Sequence, residues 1–333
     1  GDSLLALYSN KIYEIELTDN TTRPENWTSR NSGTTKILRG VSYVNNTFMT
    51  VGDDGNIFTS QDGTTWTAQT SGTTKDLQGV AYGNNTFVTV GNNGKIFTSP
   101  DGATWTAQTS GVDKKLNEVT FENNTFVAVG NQGTIITSVD GITWTEQTSG
   151  TTVGLFGVGF GNNTFVTVGT GGLILTSPDG VTWTSESSGT TDQLYDVIFG
   201  NGTFVVVGTY QGSQGTILTS PNGTTWTEQT VPTGLSNPSF EEVDYGNGTF
   251  VVVGGSGAVL SSQDGISWTI QGSGTTSSFF GVAFGNSSFV AVGDTGTILS
   301  SSPVETTFYA TVSTVSVSGT DTDNSPTSYY FER

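Results

Sequence analysis

The sequence predicts an all-β protein folded as a single β-propeller of seven four-stranded blades, and three observations predict it. Short runs rich in Val, Phe, Thr, Tyr and Trp alternate with Asn-Asn, Asn-Gly and Asp-Gly pairs, the pattern of strands joined by tight hairpins. Asn45, Asn84, Asn123, Asn162 and Asn201 stand 39 residues apart, and Asn247 and Asn286 continue the series after one longer repeat. No 3.6-residue apolar period and no leucine ladder appears, so no helix is expected and a four-stranded blade is the repeat that fits a period of about 40.

Leu77 to Ser110 shows the plan: GVAY, TFVTVG, KIFTS and TWTAQ are four strands of one antiparallel meander. Alone such a sheet leaves both faces wet, so it has to stack against its copies. Three segments result: 1–36, an N-terminal hairpin followed by a closing strand; 37–302, the repeat propeller; and 303–333, a strand-like C-terminal tail.

The N-terminal segment resembles the end of a repeat: LLALYS and KIYEIEL precede Asn26-Trp27-Thr28. Six later repeats carry one Trp each, at 66, 105, 144, 183, 226 and 268, while the seventh has Phe308 at that place. The strand around Trp27 is therefore expected to close the ring as the outer strand of the last blade. In the alternative, eight blades form, with LLALYS, KIYEIEL, NWTSR and the C-terminal VSTVSVS making a composite eighth. In the seven-bladed arrangement the hairpin of residues 4–17 and the tail lack partners inside the ring, and unpaired strands tend to find one.

Repeat five is longer, because Asn201 to Asn247 spans 46 residues against 39 elsewhere. The additions fall at Thr209 to Gly215 and at Val231 to Pro238. In an up-and-down blade those two connections share one face of the disc, and the Asn and Asp-Gly turns occupy the other. The varied face is the better place for a ligand.

Composition bounds the function. The chain carries 29 acidic and 10 basic residues, a net charge of −19, which disfavours nucleic acid and anionic lipid as partners. With no Cys and no His, disulfides, thiol nucleophiles, Cys/His zinc sites and a histidine base are absent. No apolar run approaches the ~20 residues that span a bilayer, so membrane insertion is not expected. Gly1 in place of an initiator Met reads as a processed or trimmed form, and the acidic, Thr/Ser/Asn/Gly-rich composition suits an extracellular or cell-surface location.

Ser99-Pro100-Asp101-Gly102-Ala103-Thr104-Trp105 recurs at Ser60–Trp66, Ser138–Trp144, Ser177–Trp183, Ser220–Trp226 with Asn222 for Asp, and Ser262–Trp268. It resembles a one-residue-short form of the Asp-box (BNR-like) motif of sialidases, some glycosidases and photosystem assembly-factor-like propellers. The last repeat departs from it, with Pro303 and Val304 where Asp and Gly should stand. Physically the motif is a turn device, so Asp62, Asp101, Asp140, Asp179 and Asp264, with Trp66, Trp105, Trp144, Trp183, Trp226 and Trp268, are expected to be structural. A sialidase-like activity would need three convergent arginines, but Arg23, Arg30, Arg39 and Arg333 are the only four and none lies in the middle six repeats. An assembly-factor-like basic patch is equally short of residues.

The position before the shared Val of each first strand reads Gly40, Gly79, Glu118, Gly157, Asp196, Glu242 and Gly281, and Asp244 follows two residues after Glu242. Glu118, Asp196, Glu242 and Asp244 should line the upper end of the central channel, on the face of the repeat-five insertions, where they could meet a cation or a sugar hydroxyl. Asp321 and Asp323 form a second acidic pair with a weak resemblance to a calcium loop. Asn45, Asn84, Asn123, Asn162, Asn201, Asn247, Asn286, Asn20, Asn26 and Asn222 all satisfy Asn-x-Ser/Thr and are glycosylation candidates, although hairpin turns generate such sequons unaided. No cofactor and no confident metal site is expected.

The leading function from sequence is a non-enzymatic extracellular subunit that self-associates into a surface array or filament through its strand-like ends. An adhesin or lectin-like module binding glycans or cell-surface proteins on the insertion-bearing face is the alternative. A glycoside hydrolase built on Glu242 and Asp244 ranks behind both.

Overall fold

The computed structural model describes residues 3–8, 11–21, 24, 26–210, 214–235, 238–304 and 306–315. The chain divides into two compact units, Thr22–Glu305 and a second one formed by Gly1–Thr21 with Thr306–Arg333.

The first unit is a seven-bladed propeller. Blade 1 consists of Leu38–Val44, Thr47–Gly52, Asn56–Ser60 and Thr67–Thr70, paired in that order from the channel outward. Blades 2 to 6 repeat it, with inner strands Leu77–Gly83, Leu116–Glu122, Leu155–Gly161, Gln193–Gly200 and Phe240–Gly246. Blade 7 takes Phe279–Gly285, Ser288–Gly293 and Ile298–Ser300 from the C-terminal side and Thr28–Arg30 from the N-terminal side. The inner strand of blade 7 lies against that of blade 1, so the ring closes as the surplus Trp27 implied.

The second strand of each blade is buried along nearly its whole length, as in Thr86–Gly91, because both of its faces are covered by neighbouring blades. Hence TFVTVG reads as a continuous apolar run rather than an alternating one. Outer strands such as Thr106–Thr109 are mostly exposed. Among the described residues, seven apolar clusters fill the seven seams between blades. Each conserves one layout: Trp268 of blade 6, for instance, packs on Val205 and Val207 of blade 5 together with Phe250. Trp27 does the same at the last seam against Val251, Val253 and Phe279, and Val304 is buried beside it. The missing Asp-Gly turn of the last repeat is thereby accounted for, since Val304 fills apolar space and its N–H donates to Ser287 O at 2.6 Å.

The terminal segments pair with each other and with no strand of the ring: Lys11–Thr21 pairs antiparallel with Thr306–Val315 from Ile12↔Val315 to Thr21↔Thr306, and Ser3–Tyr8 adds a third strand. The eight-bladed alternative assigned NWTSR to that sheet, but Thr28–Arg30 pairs with Ile298–Ser300 of blade 7. Phe308 likewise belongs to the terminal sheet, opposite Asp19. The first insertion of repeat five is also a strand extension, Tyr210 pairing with Gln214, where the other six blades make a three-residue 3₁₀ turn.

Candidate channel-mouth site

Every inner strand carries the same irregularity. The register shifts by one residue between Leu38 and Gly40, Leu77 and Gly79, Leu116 and Glu118, Leu155 and Gly157, Leu194 and Asp196, Phe240 and Glu242, and Phe279 and Gly281. Such a β-bulge re-aims the extra residue. The seven bulged residues are Arg39, Gln78, Asn117, Phe156, Tyr195, Glu241 and Phe280, and together with Lys115, Glu118, Asp196 and Glu242 they line one cavity of about 260 Å³ at the channel mouth. The mouth opens on the face of the second-to-third-strand connections, since Arg39 pairs with Asp53 of the blade 1 turn there.

The candidate acids therefore converge from three blades. Glu118 lies across the neighbouring strand at Gly79: a Cβ there would come within 2.6 Å of Glu118 Oε1, so only glycine leaves room for the carboxyl. Gly157 does the same for Asp196, at 2.8 Å from Oδ1. Each acid also receives a main-chain N–H. Glu118 Oε1 accepts from Val119 at 2.8 Å, Asp196 Oδ2 from Val243 of the next blade at 3.0 Å, and Asp244 accepts from Tyr245 at 2.8 Å and from Phe284 of blade 7 at 2.6 Å. Asp196 and Asp244 thus tie adjacent inner strands together.

Glu118, Asp196 and Glu242 line the mouth, Asp244 stands outside its lining, and burial is the first cause of the behaviour of all four. It pushes Glu118 up to about 8, against the Val119 N–H and aided by the charge of Asp196. Asp244 rises to about 7, with burial outweighing the N–H groups of Phe284 and Tyr245, and Asp196 to about 6. Glu242 is held well above the usual carboxylate range by burial and by the charges of Asp196, Glu118 and Asp244. Lys115 is pushed down by burial and by Arg39. At the rim Phe156 and Tyr195 meet with ring centroids 5.4 Å apart at 51°. Asn117 bonds Leu155 O at 2.6 Å and the Tyr195 hydroxyl bonds Gln193, which fixes both side chains. Among the described residues no group of three or more His, Cys, Asp or Glu is placed to hold a metal ion. Asp321 and Asp323 lie outside the described residues.

Sequence reasoning picked out the acids but missed the bulged ring. Its signal was present: between a recurring Leu or Phe and a Val two residues further on, this column reads Arg, Gln, Asn, Phe, Tyr, Glu, Phe.

The Asp-Gly turns lie at the other end of the inner strands. Asp101 Oδ1 accepts from Ala103 N at 2.9 Å and Thr104 N at 2.8 Å, Ser99 Oγ accepts from Gly102 N, and the Trp105 indole N–H donates to Gly102 O at 3.2 Å. Asp62, Asp140, Asp179, Asp264 and Asn222 repeat the first two bonds. Main-chain N–H donors hold Asp62, Asp101, Asp140 and Asp179 below the ordinary carboxylate range. Trp144, Trp183, Trp226 and Trp268 keep the indole bond, whereas the Trp66 and Trp27 indole nitrogens are buried without one.

The sequon residues Asn45, Asn84, Asn123, Asn162, Asn201, Asn247 and Asn286 are exposed in the first hairpin turns at positive φ, for example +49° at Asn45 and +46° at Asn201. The carboxamides of Asn84, Asn201 and Asn247 donate to Val139, Gln263 and Val304 carbonyls. Asn26 and Asn222 are exposed, and the side chain of Asn20 lies outside the described residues.

A family model, the DUF6242 beta propeller domain, matches residues 2–116, 75–194 and 194–330. Comparison with curated protein sequences gives no match. Among solved structures, YCF48 bound to D1 peptide is similar with a TM-score of 0.68 at 20% identity, over 84% of this chain and 95% of that one. YCF48 from Cyanidioschyzon merolae gives 0.67 at 17% over 83% and 98%. Catalytically inactive virginiamycin B lyase from Staphylococcus aureus with quinupristin gives 0.73 at 12% over 86% and 99%. At these identities the likeness is one of fold.

Proposed function

The chain belongs to the DUF6242 beta propeller domain family, and from that premise we propose that it is a non-enzymatic binding module whose ligand enters the channel mouth. One observation carries this reading: seven bulges aim seven mostly different side chains into a single cavity, while the Leu or Phe just before each and the Val two residues after it repeat from blade to blade. Ring closure needs no such variety. The similar folds supply precedent for ligand-taking propellers, YCF48 with a D1 peptide and virginiamycin B lyase with quinupristin. The non-catalytic part of the reading rests on composition, with no His or Cys, and on acids whose oxygens accept main-chain N–H groups. The Asp-Gly turns are read as structural Asp-box turns. The acidic, Thr/Ser/Asn/Gly-rich composition supports an extracellular or surface setting; among the described residues no helix is long and apolar enough to cross a membrane. Glycans, where attached, occupy the opposite face, and Asn45, Asn123, Asn162 and Asn286 are the expected acceptors.

The test is ligand mapping on the full chain by screening peptide and glycan libraries, with Tyr195→Ala as the control. Binding that Tyr195→Ala abolishes supports the reading, and binding that it leaves intact sinks it.

A second reading, self-association, is favoured by the terminal sheet. Ser3–Tyr8 and Thr306–Val315 are its two edge strands, and an edge offers a row of main-chain donors and acceptors to a second copy. Light scattering over a concentration series, with electron microscopy of the same samples, distinguishes a monomer from filaments.

A further inference from the structure

We propose that the channel mouth recognises an alkylammonium group, the head of a lysine side chain or of a free amine; this deepens the binding-module reading and rests on it. Three features of the cavity converge on that chemistry. Phe156, Tyr195 and Phe280, from blades 4, 5 and 7, stand on its rim, and the first two are tilted at 51° as two walls of a cage. Aromatic faces attract a cation through the ring quadrupole and accept an alkyl stem by burial. The bulges that place these rings are a separate feature from the acids beneath them.

Beneath the rim, Asp196 and Glu242 supply negative charge from adjacent inner strands, with Glu118 and Asp244 beside them. Charges of neighbouring acids help to raise Glu118, Glu242 and Asp244. Arg39, at the same mouth, is already paired with Asp53. Lys115 is then the one other cation of the lining, set against Glu118, Asp196, Glu241 and Glu242, so at alkaline pH the cavity carries negative charge in excess of the cations the chain places there. A bare metal ion suits it poorly, because no three of the acids are placed as ligands and several of their oxygens already accept main-chain N–H groups. An ammonium on an apolar stem satisfies both walls, and about 260 Å³ holds such a stem but not a folded segment. The net charge of −19 draws cations toward the whole molecule.

The experiment is NMR titration of the full chain at alkaline pH with n-butylammonium and with acetyl-Gly-Lys-Gly-amide, against n-butanol and acetyl-Gly-Gln-Gly-amide. Both ammonium probes are expected to shift resonances of the mouth, and the two neutral probes are not. Glu242→Gln and Phe280→Leu, which keep volume while removing the charge and the ring, should each weaken binding by about tenfold. A peptide that binds more tightly than butylammonium marks a protein-borne lysine as the source, and the reverse marks a small amine. Equal binding of the neutral probes, or indifference to both variants, overturns the proposal. A neutral or anionic ligand that fills the mouth while ammonium probes do not also overturns it, leaving the binding module standing. Failure of every ligand class at the mouth overturns both.

Discussion

Neutralising Glu118 should stabilise the propeller at alkaline pH and leave it unchanged in acid. Glu118→Gln preserves the Oε1 acceptor for Val119 N–H and the fit against Gly79. Burial raises the folded carboxyl from 4.5 to about 8. A group raised on folding contributes its full stability below the unfolded value of 4.5 and loses it as pH climbs through 8, because the folded state holds the proton more tightly in that window. A displacement of about 3.5 pH units at about 1.36 kcal/mol each sets a ceiling of about 5 kcal/mol. Water in the channel and proton sharing with Asp196 and Glu242 reduce this to about 2 kcal/mol, or roughly 4–8 °C in Tm. The assay is thermal unfolding followed by tryptophan fluorescence at about pH 4 and about pH 9. All seven tryptophans lie in the propeller unit, so the signal reports that unit alone. A rise in Tm confined to alkaline pH is expected. Equal effects at both pH values, or a loss at the higher one, would refute the placement of a buried, uncompensated carboxyl in the channel.

Three further outcomes follow from the packing. Trp27→Ala should cost about 3–5 kcal/mol in chemical denaturation, because Trp27 closes the last seam against Val251, Val253 and Phe279. Gly83→Ala should cost about 1–3 kcal/mol, since the added Cβ would lie 2.0 Å from the ring of Phe121 on blade 3; a neutral result would contradict that blade spacing. Asn222→Asp should raise Tm at neutral pH by giving the Thr224 and Thr225 N–H groups an anionic acceptor, as Asp179 does for Val181 and Thr182. That contribution is present above the unfolded value of about 3.8 and is lost as pH falls through the lower folded one, so the gain should vanish at about pH 2.

The fold was legible because the 39-residue spacing of Asn45, Asn84, Asn123, Asn162 and Asn201 fixes the repeat, and the tryptophan outside the repeats, Trp27, points to the strand that closes the ring. The acids were legible for the same reason: Glu118, Asp196 and Glu242 break a column that is otherwise glycine. What stayed hidden was register. A bulge changes which way Phe156, Tyr195 and Phe280 point without changing the spacing of any residue, so period counting passes over it. The partner of Lys11–Thr21 was hidden too, because alternation shows that a segment is a strand and not which edge it meets. Thr306–Val315 carries the same alternation, and the two satisfy each other.

A crystal structure of the full chain soaked with small-molecule fragments tests the central claim most directly, since it reads both the blade arrangement and the ligand position. The account predicts density between Phe156, Tyr195, Phe280 and Glu242 in a seven-bladed ring. Density confined to the Asp-Gly turn face or to the outer strands, with the mouth closed or bare, would contradict it.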